Sequence, residues 1–373
     1  MRIAYVCADP GIPVFGTKGA SVHVQEVIRE FDARGHEVHL YTVRSGHDLP
    51  ADLAGLPVTE VPVDASEPAG REHAQQEACR QLTAAVLRDG ADLIYERYSL
   101  FSTVLAEAWA RARMPGILEV NAPLIDEQRT HRVLVDEDTA SRVLLAQVRA
   151  ATATICVSEP VRDWVTARTR AARVHTIPNG VNVRRIQPRP ADPGAPVVVF
   201  VGTLKPWHGV GDLLLAAAQA GRDWRLRIVG DGPLRAELEN QAAELRLPVD
   251  FRGAVAPETI PEQLAGAAIG VAPYPELADH YFSPLKVYEY LAAGLPVVAS
   301  EVGQIPEILD GAGRLVPASN PSALAAAIDE LAGEPRTRAA LGRRGRQLAE
   351  ERYSWARVVD AILDHAGLAV AHD

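Results

Sequence analysis

The chain is nearly devoid of lysine. Of its 38 basic residues only Lys18, Lys205 and Lys286 are lysine; the other 35 are arginine. Cysteine is scarce too: Cys7, Cys79 and Cys156 have no metal-ligand spacing, and their odd number fits a reducing compartment. Cys7 and Cys156 fall in the apolar runs IAYVCAD and ATICVSE, where a thiol serves as a small buried hydrophobe. A basic excess is missing. The net charge of −10 and pI near 5.6 argue against a nucleic-acid-binding surface and against a broad basic face for anionic lipid, a local patch being left open. No apolar run approaches the ~20 residues of a membrane span, and the opening MRIAYVCADPG is a strand too short for a secretory h-region. The expectation is a cytoplasmic protein, monomer or homodimer, without a transmembrane segment, peripheral membrane contact left open. Common nucleotide motifs are also absent. VGDGPLR carries Gly230 and Gly232 but no third glycine of G-x-G-x-x-G, and no G-x-x-x-x-G-K-[ST] exists. Asp136, Glu137 and Asp138 in VDEDTA read as a solvated helix start, not a metal site.

What is present is alternation. RIAYVCA is a β-branched run, followed by a Gly-containing loop. SVHVQEVIREFDARG then places Val24, Val27, Ile28 and Phe31 at i, i+3, i+4 and i+7, a helix that Gly35 stops before the strand HEVHLYTV. DLIYERY, GILEVNA, ATICVSE and VHTIPN continue the series. This βαβ grammar predicts a parallel sheet covered on both faces. VRRIQPRPADPGAP, residues 183–196, has four prolines and no periodicity, so it reads as a linker. The grammar then restarts with VVVFVG, TLKPWHGVG, DLLLAAAQA and WRLRIVG. The reading is two doubly wound, Rossmann-like α/β domains facing across a cleft: 1–185, 186–355, and a final helical segment 356–373 crossing back to the first.

All three lysines sit in loops leading from a strand into a helix, at carboxyl ends of strands where such sheets bind ligands. In YFSPLKVYEYLAAGLPVVAS, Ser283 is read as N-cap and Pro284 as first helical residue. The amides of that turn make an anion site, to which Lys286 adds a charge. Glu289, three residues on, shares its face and is placed to accept both hydroxyls of a ribose. A capped helix with a surface ion pair is the competing reading of the same residues.

SPLKVYEYLAAGLPVVAS resembles the donor-binding segment of family 4 glycosyltransferases of the GT-B fold. FVGTLKPWHGVGDLLLA resembles the opening of their C-terminal domain. VGDGPLRAELE, FRGAVAPETIPEQLAGAAIGVAPY, IPNGVNVRRI and GTKGASVHVQEVIREFDARGHEVHLYT follow the same family's order, over nearly the whole chain. The resemblance implies a metal-independent, retaining transferase without a cofactor, whose co-substrate is a nucleotide diphosphate sugar, by default a UDP-hexose. The acceptor class it implies is a natural product, an envelope glycan or another small hydroxyl compound. By the same resemblance, Gly202 and the basic pair Lys205 and His208 meet the diphosphate. The family's usual Arg and Lys positions are here Thr203 and His208. Glu289 matches the second Glu of the E-x₇-E pattern, and Tyr281 stands where the first would be. Phe282, Ser283, Pro284 and Leu285 line the donor, and Arg252 to Val255 lie against the base. The loop Gly16 to Gly19, with Lys18, reaches the phosphates or an anionic acceptor. Asn121 stands where many relatives have His and hydrogen-bonds the donor sugar. Glu119 reads as a core-edge residue and His23 as a packed histidine. Lys205, Lys286, Asn121 and His208 are the expected catalytic set. An epimerase of the same fold and a non-catalytic sugar-nucleotide-binding partner are the competing functions.

Overall fold

A computed structural model describes residues 1–64, 67–277 and 280–368. The chain forms two compact units, residues 1–178 with the segment from Val358 onward, and Asn179–Arg357. The expected crossing-back segment was 356–373, of which residues 369–373 lie outside the described residues.

The first unit runs β1 (Arg2–Cys7), α1 (Gly19–Ala33), β2 (Glu37–Thr42), β3 (Val58–Glu60), α2 (Pro68–Asp89), β4 (Leu93–Arg97), α3 (Val104–Ala112), β5 (Gly116–Val120), α4 (Leu124–His131), α5 (Glu137–Ala150), β6 (Ala153–Cys156), α6 (Glu159–Thr169) and β7 (Val174–Thr176). The second runs β8 (Val197–Val201), α7 (Val210–Ala218), β9 (Arg225–Val229), α8 (Arg235–Glu244), β10 (Val249–Gly253), α9 (Ile260–Leu264), β11 (Ile269–Ala272), α10 (Leu285–Ala292), β12 (Val297–Ser300), α11 (Ile305–Leu309), β13 (Gly313–Val316), α12 (Pro321–Gly333) and α13 (Pro335–Glu351); α14 (Trp355–His365) follows. The sheets are ordered β3-β2-β1-β4-β5-β6-β7 and β10-β9-β8-β11-β12-β13, with every strand pair parallel. Each order reverses once, between β1 and β4 in the first sheet and between β8 and β11 in the second.

Parallel strands covered on both faces must be apolar throughout. β4, β5 and β8 are buried at every position. Val24, Val27, Ile28 and Phe31 of α1 are all fully buried, so the 3.6-residue spacing faces the sheet. One polar group in the first core is structural. The Glu96 carboxylate, on β4, accepts hydrogen bonds from Ser102 Oγ, from Gln147 Nε2 (2.7 Å) and from the Leu105 amide (2.8 Å). Gln147 Oε1 accepts from the Ala106 amide (2.8 Å). Together they satisfy the first amides of α3, whose N-cap Thr103 offers no side-chain bond. Burial pushes the Glu96 carboxyl up from its ordinary value. Asp136 caps α5 by accepting from the Thr139 amide at 2.9 Å, in keeping with a helix start.

The Pro-rich stretch 183–196 is held to the second unit. Arg346 of α13 donates to the carbonyls of Val183 (3.0 Å) and Ile186 (2.7 Å), and Ile186 is buried. Further on, Asp360 of α14 pairs with Arg34 at 2.7 Å and His365 stacks on His175 at 4.0 Å, both within the first unit. The three cysteines are unpaired and buried, and burial pushes each thiol up to about 12. Among the described residues no helix is long and apolar enough to cross a membrane.

Candidate functional site

In the second unit the site is built where the chain leaves β8. Gly202 takes φ +150°, and its amide donates to the Val229 carbonyl at 2.9 Å, so the turn after β8 lies against the end of β9. A Cβ on Gly230 would stand 1.9 Å from the Gly202 carbonyl oxygen. Only glycine permits that crossing. Tyr290 of α10 ties the neighbouring strands together: its hydroxyl accepts from the Val201 amide (2.8 Å) and donates to the Val271 carbonyl (3.3 Å).

Against this turn lies Lys286. Its ammonium is 4.2 Å from the Phe200 ring centroid and 5.0 Å from that of Tyr274. The residue is only 7% exposed, and its nitrogen has no hydrogen-bond partner among the described residues. Burial pushes its pKa down to about 7, with the nearby Glu289 carboxylate working the other way. The aromatic faces attract the cation, but they cannot replace three lost hydrogen bonds to water. Lys286 is therefore no half of a surface ion pair. It is a desolvated cation on the first turn of α10, where helix amides add positive potential.

Two expectations are corrected here. Ser283 does not cap α10, which begins at Leu285 with Pro284 at the cap position. The Ser283 hydroxyl instead accepts from the Asn179 amide (3.1 Å) and meets Tyr288 Oη (2.8 Å); Asn179 Nδ2 donates to the Ser283 carbonyl (2.7 Å). The hydroxyl is used up in joining chain segments, and the first turn of α10 carries no side-chain cap. His208 is not half of a basic pair. Its Nδ1 bonds the Thr203 carbonyl, and burial, with the Lys286 ammonium beside it, pushes its pKa down to about 3. The imidazole is neutral throughout the physiological range.

The remaining second-unit residues divide. Lys205 lies over the exposed Trp207 ring at 4.5 Å and retains contact with solvent. Glu289 is half-buried. Phe282 packs on Tyr274 at 4.8 Å and, with Val255, against the apolar core. Arg252 is half-exposed and pairs with Asp250 at 2.8 Å.

In the first unit, the loop before α1 is held from both sides. Ser21 Oγ donates to the Pro13 carbonyl (2.6 Å), and Gln25 Nε2 donates to the carbonyls of Val14 (2.8 Å) and Gly16 (3.0 Å). Gly16 is buried, whereas Lys18 and Gly19 are exposed at the start of α1. Asn121 lies just beyond β5, and its Oδ1 is enclosed without a hydrogen-bond partner among the described residues. Beneath it, Glu119 takes His23 Nε2 at 2.7 Å and lies 3.7 Å from Arg97 Nη1. Burial would raise the Glu119 carboxyl, but His23 and Arg97 outweigh it and hold it down. Glu119 and His23 are thus members of a buried polar row, with Arg97, that their sequence context did not reveal. Charged residues inside otherwise apolar strands, Arg97 in LIYERY and Glu119 in GILEV, were the available signal.

Two doubly wound parallel-sheet α/β units, with sheets of seven and six strands, are those of the GT-B fold. The family model described as Glycosyltransferase Family 4 matches residues 17–185, and that described as Glycosyl transferases group 1 matches residues 195–334. A D-inositol 3-phosphate glycosyltransferase of Saccharomonospora viridis is 30% identical, over 94% of this chain and 89% of its own length. A GDP-mannose-dependent alpha-(1-6)-phosphatidylinositol dimannoside mannosyltransferase of Mycobacterium tuberculosis is 31% identical over 54% of each chain. Among solved structures, sucrose-phosphate synthase from Thermosynechococcus elongatus superposes with TM-score 0.77 at 22% identity, over 99% of this chain and 98% of its own. Anabaena HepE in complex with UDP gives TM-score 0.77 at 21% identity, over 98% and 100%. The chain belongs to the family 4 glycosyltransferases.

Proposed function

We propose that the enzyme transfers a hexose, with retention of configuration and without a metal, from a nucleoside diphosphate sugar to a hydroxyl-bearing acceptor. The second unit holds the donor and the first the acceptor. The observation that carries the donor assignment is Lys286: a buried ammonium without a hydrogen-bond partner among the described residues, on the first turn of α10 and against the Gly202 turn. A diphosphate supplies the anionic oxygens that such a cation lacks. Lys205 adds charge from the facing loop, and Glu289 receives the ribose hydroxyls. UDP-glucose is the first donor to try, since the solved HepE structures hold UDP and UDP-glucose. GDP-mannose is the competing one, named for the mannosyltransferase relatives.

In the reaction the bond from C1 of the sugar to the β-phosphate oxygen breaks, and a bond from C1 to the acceptor oxygen forms on the same face. The acceptor proton passes to the departing phosphate oxygen. The negative charge that builds on that phosphate is stabilised by Lys286, Lys205 and the amides of α10. Calorimetric titration with UDP-glucose and GDP-mannose tests the donor site. One of them should bind wild type and bind Lys286→Ala at least about tenfold more weakly. Equal binding by the two proteins would defeat the assignment.

A further inference from the structure

The first sheet reverses its order between β1 and β4. Ligands of doubly wound sheets sit outside the carboxyl ends of strands at such a reversal. Arg97 is the last residue of β4 and stands in register with Cys7 of β1 and Glu119 of β5. The side chain of Arg97 is 90% buried, at 10% exposure. Among the described residues its guanidinium donates no hydrogen bond. Its one ion pair runs from Nη1 to Glu119 Oε2 at 3.7 Å, and among the described residues neither of these enclosed atoms has a hydrogen-bond partner. Glu119 binds His23 through Oε1 at 2.7 Å and turns Oε2 toward Arg97, but at 3.7 Å that contact is an ion pair and not a hydrogen bond. A guanidinium has five donors, and buried donors in folded proteins nearly always find acceptors. Two residues past Glu119, the enclosed Oδ1 of Asn121 has the opposite need, since among the described residues it lacks a donor. The start of α1 adds positive potential at the same end of the sheet. Lys18 occupies its cap position without a side-chain bond, and its first turn has no acidic residue.

We propose that this reversal point is a binding site for an oxyanion on a hydroxyl-bearing acceptor, with Arg97 receiving the oxyanion and Asn121 a hydroxyl. The acceptor class is then a polyol or sugar carrying a phosphate monoester or a carboxylate. The proposal rests on the first unit being the acceptor-binding half of the glycosyltransferase. Arg97 is a specificity-determining residue in it, because the charge it adds selects anionic over neutral polyols.

The test is calorimetry on the full chain with myo-inositol 1-phosphate, gluconate and uncharged myo-inositol. At least one of the two anions should bind wild type about 10- to 100-fold more tightly than myo-inositol. The phosphate and carboxylate arms tell the two sources of the oxyanion apart. Arg97→Met should abolish that preference and leave nucleotide-sugar affinity unchanged. Removing Arg97 alone leaves Glu119 with less compensation, so Arg97→Met/Glu119→Gln, which removes both charges together, serves as the folding-safe variant. A preference that survives in the double variant assigns Arg97 a purely structural role and overturns the proposal. Wild type that binds neither anion more tightly than myo-inositol overturns it too. Failure of nucleotide-sugar binding in wild type is a separate result, which counts against the donor site in the second unit.

Discussion

The ammonium of Lys286 fills the space a side chain on Gly202 would need: a Cβ built there stands 2.9 Å from Nζ and 3.1 Å from Cε. Gly202→Ala should therefore displace the lysine head and strain a backbone at φ +150° as well. Lys286→Ala and Lys205→Ala should each lower kcat/KM by roughly 10²-fold, since a charge-assisted hydrogen bond of ~1.5–3 kcal/mol strengthens as the phosphate departs. Lys18→Ala, on an exposed loop residue, should cost less. Steady-state kinetics of the four variants checks the order. A larger loss from Lys18→Ala than from Lys286→Ala would transfer the diphosphate to the first unit.

Donor affinity should depend on pH through the same lysine. In the unliganded enzyme its pKa lies near 7, and a bound diphosphate raises it. Nucleotide-sugar affinity should then fall as pH rises above about 7, by up to tenfold per unit, until the pKa of the complex is reached. Titration at pH 8 in buffers of different ionisation enthalpy should show proton uptake, and Lys286→Arg should remove it. A nucleotide sugar is the proper probe because its phosphates are fully ionised in this range. For stability the sign is opposite. Between about 7 and 10.5 the unfolded chain holds the proton that the native lysine has released, so this group makes stability rise with pH across that window.

Glu289→Ala should weaken donor binding by roughly 3–4 kcal/mol, several hundredfold, if it removes two charge-assisted bonds to a ribose diol. Wild type should discriminate against the 2′-deoxy nucleotide and the variant should not. Equal wild-type affinity for the two forms would remove the diol role.

Glu96→Ala tests the first core. It leaves the Ser102 hydroxyl, the Gln147 amide and the Leu105 N–H without their acceptor in a sealed interior. A loss of roughly 3–5 kcal/mol in denaturant unfolding is expected. A change below about 1 kcal/mol would mean that the neighbouring groups find other partners.

Turnover should survive an excess of chelator, because Lys205, Lys286 and the α10 amides neutralise the leaving group. Activity lost to chelator and restored by Mg²⁺ or Mn²⁺ would show that these cations do not suffice.

The fold was legible because its signals are local. Continuous apolar strands such as VVVFV mark a sheet covered on both faces, and the spacing Val24, Val27, Ile28, Phe31 marks a helix on it. The rows across the sheet were not legible. That Arg97 stands beside Glu119, and Glu119 beneath His23, depends on strand register and on which helix covers which face, and neither is written in any one segment. Ser283 misled for a related reason. Ser-Pro before a helix has the composition of a cap, but the hydroxyl is taken by Asn179 and Tyr288, the first of them 104 residues away. His208 kept the look of a base because its titration is governed by burial and by Lys286, which approach from other elements.

The three buried thiols have a practical consequence. With each pKa near 12, almost no thiolate exists at neutral pH, and the sulfurs are shielded from reagents. To an alkylating dye the native chain should therefore behave as though it had no cysteine. A single cysteine introduced at the exposed position of Lys18 would carry the only label, and its fluorescence would report on that loop during turnover without any background mutations.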